Sequence, residues 1–499
     1  MTTEEKKGKK ASEHKPKSFF HWVCENLESI LWAVIFALVI RAFIIEAFQI
    51  PTGSMATALF GMHADITCEN CGFSYSWGES GNPEDRSFGQ SGLSICPLCQ
   101  HKNEPAGARV KSGDKIMVFK NYSQFAPLER YQVVVFKAPT DLRKNYIKRL
   151  IALGGEKLQL SCGDVFINGR IAPKPLKVQE SLWQPVYRSR FAKRKISGQG
   201  QHWAVAPPWT ESDGVFSFGQ EGASSIRLSD PIFDDYGYND AVNSSLYRRS
   251  DSHVAGDLRI SARIRSAAPV SAREKTPSIE LALEEDGAFY ALRACLDAKR
   301  TGWIESLQLL QRDGPLESFK NEKILLQKPF SASAAGMCLG FANVDNSLYV
   351  WADGNLVADF FVEEGSQLDG RIRQTRSSTA LLAAGGAKVV FEDVNVDRDV
   401  YYYLPGGSFL QTPPDGTVSE MRDGQRYLLK GPAVTQPAPE LIFDPPTSSI
   451  FVPRGTLMAM GDNCPISNDG RMWGPAPQDY LLGKAFFIWW PFNRIKLIR

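Results

Sequence analysis

The feature that most restricts this chain is one apolar run, Ser29 to Ile50, reading SILWAVIFALVIRAFIIEAFQI. Roughly twenty such residues in a helix match the hydrocarbon core of a bilayer, and an arginine near one end can reach the interface, as Arg41 would. A cleaved leader would end in small residues. This run ends in Phe48, Gln49, Ile50 and Pro51, so the reading is an uncleaved anchor over 29–49. Ahead of it, Lys6, Lys7, Lys9, Lys10, Lys15 and Lys17 lie in a stretch too polar to fold. Positive flanks stay in the cytoplasm, which makes 1–28 a basic cytoplasmic tail and puts everything after Pro51 outside. No second run of comparable length occurs in the 499 residues, so a single crossing is expected.

The net charge of +2 lacks the basic excess of a nucleic-acid protein, so the bilayer is an expected partner and nucleic acid is not. Nine cysteines are too few for a disulfide scaffold at this length. Four of them form two CxxC pairs, Cys68/Cys71 and Cys96/Cys99. Four thiolates so placed suit a structural Zn²⁺ in a zinc-ribbon-like unit over 61–108; the alternative is two disulfides on an oxidising side of the membrane. A closed four-cysteine site keeps no open position, so catalysis needs no cofactor from it.

The remaining text is mainly β. Short runs such as Val133–Phe136, Tyr146–Ala152 and Leu158–Leu160, and the hairpin signal Asn168-Gly169, mark strands over 109–182. Residues 183–401 change to long alternating runs such as Leu258-Arg259-Ile260-Ser261-Ala262-Arg263-Ile264, with turns at Asp286-Gly287 and Asp353-Gly354. That pattern predicts a β-sandwich inserted into the first unit, whose strands and motifs resume over 402–499 after the Pro-rich spacer 436–446.

Chemistry is suggested in three places. Ser54, in Thr52-Gly53-Ser54-Met55, follows the anchor at once, where a hydroxyl meets a substrate held in the bilayer. A serine needs a base, and none of the six histidines stands in a triad context; His14 and His21 precede the anchor. That favours the Ser-Lys variant. Lys148 sits in the apolar run Asn145-Tyr146-Ile147-Lys148-Arg149-Leu150-Ile151-Ala152, where burial would lower its pKa and leave the amine neutral. Met460-Gly461-Asp462-Asn463 with Ser467, Asp469, Gly470 and Arg471 reads as a tight loop in which Asp469 and Arg471 pair and Ser467 bonds a neutral lysine.

Together these motifs resemble those of the type I signal peptidases: Ile50 to Met55 its nucleophile segment, Ser112-Gly113-Asp114 and Ile116-Met117-Val118 the strand after it, Tyr146 to Arg149 its lysine motif, Gly461 to Arg471 its last loop, and Gly483-Lys484-Ala485 and Asn493-Arg494-Ile495 its ending. The chain differs from the usual pattern at Ala56-Thr57-Ala58, Cys464, Gly470 and Gly154-Gly155-Glu156. The resemblance implies a catalytic domain assembled from 50–60, 109–182 and 402–499. It implies that Ser54 is the nucleophile and Lys148 the base, with the Ser54 N–H and Thr52 hydroxyl as oxyanion hole. Ser467 would orient Lys148, and Asp469 and Arg471 would support the loop. Ile50, Met55, Leu59, Tyr146 and Ile147 would line pockets for small side chains. The substrates would be signal-peptide-bearing preproteins at a bacterial cytoplasmic membrane. The 183–401 unit is similar, by its strand pattern around Leu339–Asn343 and Leu348–Gly354, to concanavalin-type or laminin-G-like sandwiches, which implies a glycan or protein ligand. The rival reading is a non-enzymatic envelope protein that binds glycan or protein through the sandwich and carries a degenerate peptidase.

Overall fold

The computed structural model describes residues 19–78, 93–104, 108–194, 201–239, 253–271, 274, 276–368, 375–404 and 449–499, together with short strands within 419–444. Residues 1–18 of the expected tail and most of the spacer 436–446 lie outside the described residues, whereas 19–28, also assigned to the tail, are helical and continuous with the anchor.

A 25-residue helix, Phe19–Phe43, opens the described chain. Its stretch Asn26–Phe43 is long and apolar enough to cross a membrane, and Leu31, Trp32, Phe36 and Leu38 are exposed rather than packed on the rest of the protein. The helix stops at Phe43, short of the expected Gln49. Ile45–Gln49 is instead a strand paired antiparallel with Lys115–Lys120, Ile45 opposite Phe119 and Gln49 opposite Lys115. Hydropathy alone cannot separate a short apolar strand from the end of an apolar helix; here the sheet partner decides.

That strand is the edge of an eight-stranded antiparallel sheet. The order is Ile45–Gln49, Lys115–Lys120, Leu481–Trp490, Val133–Ala138, Asp141–Leu153, Thr456–Met460 and Ala476–Pro477, with Lys496–Leu497 added on Leu481–Trp490. The sheet is built from chain segments far apart in sequence, and alternate residues feed a separate core on each face: Ile116, Val118, Val133 and Val135 on one, Val134, Phe136 and Leu150 on the other. A second, five-stranded sheet contains Lys157–Ser161, Asp164–Ile167 and Ser449–Phe451. Asn168 and Gly169, with φ of 52° and 81°, turn its hairpin between Asp164–Ile167 and Arg170–Ile171.

Between these parts stands a two-sheet sandwich. One sheet centres on Leu258–Pro269, Ala387–Arg398 and Cys338–Val344, the other on Ser278–Glu285, Ser378–Gly385 and Ala288–Leu296. Every second residue of Leu258–Ile264 points inward, and Ile260, Phe341 and Phe391 meet Leu281, Leu292 and Leu382 in one core. Its first and last strands are neighbours, Gln184 pairing with Arg398, so the chain leaves and returns at one place, as an insertion must.

The four-cysteine region forms two small sheets, Ser74–Trp77 with His63–Thr67 and Val110–Lys111, and Ser94–Ile95 with Lys102–Asn103. The first runs past the expected boundary at residue 108. Pro97 packs on Gly237 and Phe191 on Phe73, so the region leans on the sandwich insertion.

Candidate active site

Ser54 occupies one turn of 3-10 helix, Gly53–Met55, directly after the first strand of the sheet. The loop carrying it is tied at both ends to Asp114. Ile50 N–H donates to Asp114 O at 2.9 Å, and Phe60 N–H donates to Asp114 Oδ2 at 2.8 Å. Arg494 grips the same carboxylate with two bonds of 2.8 Å and lies over the Phe60 ring. Gly113 is required there, since a Cβ would stand 1.9 Å from Ile50 O.

Lys148 lies in the strand Asp141–Leu153, opposite Val134 on Val133–Ala138. It is 3% exposed, and its Nζ is 2.6 Å from Ser54 Oγ. Burial, the largest influence, lowers its pKa to about 8; Asp469 and Asp462 oppose this and Arg471 reinforces it. On the strand's other edge, Thr456–Met460 pairs no further than Arg149. From Lys148 back towards Asp141 that edge has no partner strand among the described residues.

The loop after Met460 closes the site from below. Asp469 caps the short helix Gly470–Trp473, accepts from Gly461 N–H at 2.9 Å, and pairs with Arg471. Burial alone would raise the Asp469 carboxyl, yet the Arg471 guanidinium holds it below its ordinary range. Arg471 also donates to Cys464 O at 2.6 Å and Tyr403 O at 3.2 Å. Gly461 sits so close to Ser54 that a Cβ would lie 2.3 Å from Ser54 O.

Not every expected residue takes its expected place. Ser467 is buried beside Gly461, but its Oγ has no hydrogen-bond partner among the described residues, so the expected bond to Lys148 is not formed; the Lys148 ammonium is directed at Ser54. Thr52 is exposed and its side chain makes no cap bond. Ile50, Met55 and Leu59 are buried together with Ile147 packed against them, whereas Tyr146 packs on the opposite face with Phe136 and Trp473. Neighbours on a strand point to opposite faces, so Tyr146 and Ile147 diverge, and the Tyr146 ring centre lies 5.8 Å from Lys148 Nζ.

Residues given no part by the motifs are central. Arg149 forms a two-bond pair with Asp462 at 2.7 Å, with both side chains fully buried, and Tyr402 donates to Asp462 Oδ1 at 3.1 Å. Asn463 donates from its backbone to Ser54 O and from its side chain to Gly53 O, each at 3.1 Å. The sandwich insertion supplies three further contacts. Asn239 exchanges amide bonds with Asn463, Tyr236 donates to Asp462 O at 2.9 Å, and Tyr238 covers Gly53 and stacks on Phe60. A sequence pattern of strands could not have shown that Tyr236 to Asn239 folds back onto the serine.

The four cysteines converge. Cys68 Sγ is 3.5 Å from Cys99 Sγ and Cys71 Sγ is 3.6 Å from Cys96 Sγ, and all four sulfurs lie within 4.8 Å of one another. A disulfide requires about 2.05 Å. Tetrahedral Zn²⁺ with Zn–S near 2.3 Å sets sulfurs about 3.8 Å apart, so the donor set fits that ion.

The family described as "Signal peptidase, peptidase S26" matches residues 94–225 and 417–490, which include Lys148 and the 461–471 loop but not Ser54. Signal peptidase I of Rickettsia typhi (strain ATCC VR-144 / Wilmington) is 32% identical over 149 residues, 30% of this chain and 44% of that protein. Signal peptidase I of Rickettsia canadensis (strain McKiel) is 33% identical over 147 residues, 29% of this chain and 43% of that protein. The chain thus covers less than half the length of these relatives. Among solved structures, the CBM2 module of Lactobacillus casei BL23 phage J-1 evolved Dit is similar at 12% identity and a TM-score of 0.30, over 44% of this chain and 99% of that one. Carbohydrate binding module CBM66 from Bacillus subtilis is similar at 13% and 0.25, over 39% and 94%. Over the matched segments, the chain is similar to the type I signal peptidases.

Proposed function

We propose that this chain is a membrane-bound serine endopeptidase that removes N-terminal signal peptides from exported preproteins at small-x-small sites. The observation that carries the reading is the contact of 2.6 Å between Ser54 Oγ and a buried Lys148 Nζ. A lysine with its pKa lowered to about 8 is neutral in a sizeable fraction of molecules near physiological pH and can take the hydroxyl proton.

Ser54 Oγ attacks the scissile carbonyl while its proton passes to Lys148 Nζ. The oxyanion is held by the Ser54 N–H and the exposed Thr52 hydroxyl; such donors contribute about 3 kcal/mol each. Lys148 then gives its proton to the leaving amine, which departs with the mature protein. Water, deprotonated by the same amine, releases the signal peptide from Ser54. The substrate lies extended along the unpaired edge of Asp141–Leu153, adding a strand to the sheet. Asp469 and Arg471 hold the loop under the dyad. Ser467 contributes by filling the space beside Gly461.

The helix Phe19–Phe43 anchors the chain once in the bacterial cytoplasmic membrane, the lysine-rich side inward and the catalytic sheet outward. The cysteines hold a structural Zn²⁺, and the sandwich docks a glycan or a protein near the membrane surface. The test is cleavage of a preprotein with an Ala-x-Ala site by purified full-length protein in detergent. Cut after the second Ala by the wild type and by neither Ser54→Ala nor Lys148→Ala supports the reading; equal cleavage by both variants refutes it.

A further inference from the structure

Where the five-stranded sheet meets the sandwich, carboxyl groups gather. Asp164 begins the strand Asp164–Ile167, just past the Cys162-Gly163 turn. Asp257 immediately precedes the sandwich strand Leu258–Pro269, and Asp345 lies in the turn between Cys338–Val344 and Ser347–Ala352. One carboxylate oxygen from each lies within 4.8 Å of the other two. Asp399 and Glu285 border the same group electrostatically, and Lys174 is the cation that faces it among the described residues. Lys174 is already committed: its Nζ pairs with Asp345 and, at 2.8 Å, with Asp399, and its N–H donates to Asp345 Oδ2 at 2.7 Å. Among the described residues the Asp257 carboxylate accepts just the long bonds from Asp345 N–H, at 3.2 and 3.3 Å.

Asp164 is the group left over. It is 8% exposed, and its Oδ1 is buried with no hydrogen-bond partner among the described residues. An ionised oxygen buried without a donor is costly, and this carboxylate lies against two more. We infer that Asp164, Asp257 and Asp345 bind a hard divalent cation, Ca²⁺, that joins the catalytic domain to the inserted sandwich. Oxygen ligands about 2.4 Å from a common Ca²⁺ stand up to about 4.8 Å apart, and these three lie within that limit. The ion would supply the charge that Lys174 alone does not. It would be held by one side chain of the peptidase and two of the sandwich, fixing the angle between them without touching the dyad.

The experiment is calorimetric titration of chelator-treated, full-length protein in detergent with CaCl₂, beside thermal unfolding with and without Ca²⁺. The wild type is expected to bind one Ca²⁺ and to melt at a higher temperature with it. Asp164→Asn, nearly the same shape, is expected to lose at least tenfold in affinity and the thermal response, with zinc content unchanged. A folded wild type that takes up no Ca²⁺ at millimolar concentration overturns the inference. An Asp164→Asn variant that melts higher than wild type in every buffer also overturns it, since the carboxyl would then be holding a proton.

Discussion

The side-chain amides of Asn239 and Asn463 face each other and exchange two hydrogen bonds, of 2.6 and 3.0 Å, one residue belonging to the inserted sandwich and the other to the loop beneath the dyad. Asn463 in turn holds the carbonyls of Gly53 and Ser54. Removing one partner of a buried pair leaves the other unsatisfied, at a cost of about 1–3 kcal/mol. Asn239→Ala should lower kcat by about tenfold or more, since each 1.36 kcal/mol is a factor of ten, with a smaller change in KM. Steady-state kinetics on a preprotein substrate would check this; an unchanged kcat would show that the serine turn holds itself.

To serve as the proposed base the amine of Lys148 must be neutral, and burial lowers its pKa to about 8. Cleavage should therefore rise with pH and level off above about 8. For stability, Lys148 is charged in both folded and unfolded chains below about 8, and its burial there costs the fold about 3 kcal/mol, at 1.36 kcal/mol per pKa unit. Between about 8 and the ordinary lysine range the unfolded chain binds the extra proton, so that penalty is relieved as pH rises. Lys148→Met should abolish cleavage and raise the melting temperature at neutral pH. A lower melting temperature would contradict the proposed burial cost.

Arg149 and Asp462 form a fully buried pair that joins the lysine strand to the final loop. Breaking such a pair from one side costs about 3–5 kcal/mol. Asp462→Ala should destabilise the protein by that order in denaturant unfolding and lose activity in proportion to the unfolded fraction. Preserved stability would mean that Arg149 finds another partner.

The four-cysteine knuckle touches the active site through two steps: Pro97 packs on Gly237, and Tyr238 covers Gly53. Cys96→Ser should release zinc, measured by a colorimetric chelator, and reduce kcat several-fold although no cysteine approaches Ser54. Zinc loss with unchanged kcat would break that route.

Much of the site could be read locally. Ser54, Lys148 and the Gly461 to Arg471 loop each carry a short motif, and the structure brings the three together. The turn at Asn168-Gly169 was equally plain, because positive φ at two successive positions demands those residues. What escaped was long-range. Nothing near Asn239 announces that it meets Asn463, and hydropathy could not show where the helix yields to the strand Ile45–Gln49. Tyr146 and Ile147 are adjacent on a strand, so the period of two already places them on opposite faces.

The side chain that holds the Gly53 carbonyl lies 410 residues further along the chain, and the amide that holds that side chain comes from the insertion between them. Such contacts form late, because a long loop must close before they stabilise anything. During synthesis the serine and lysine therefore emerge well before the residues that fix their geometry. The arrangement of Gly53, Asn463 and Asn239 is therefore complete only once the insertion has folded and the last loop has docked. The insertion thereby sets the moment at which the serine turn gains its last supports.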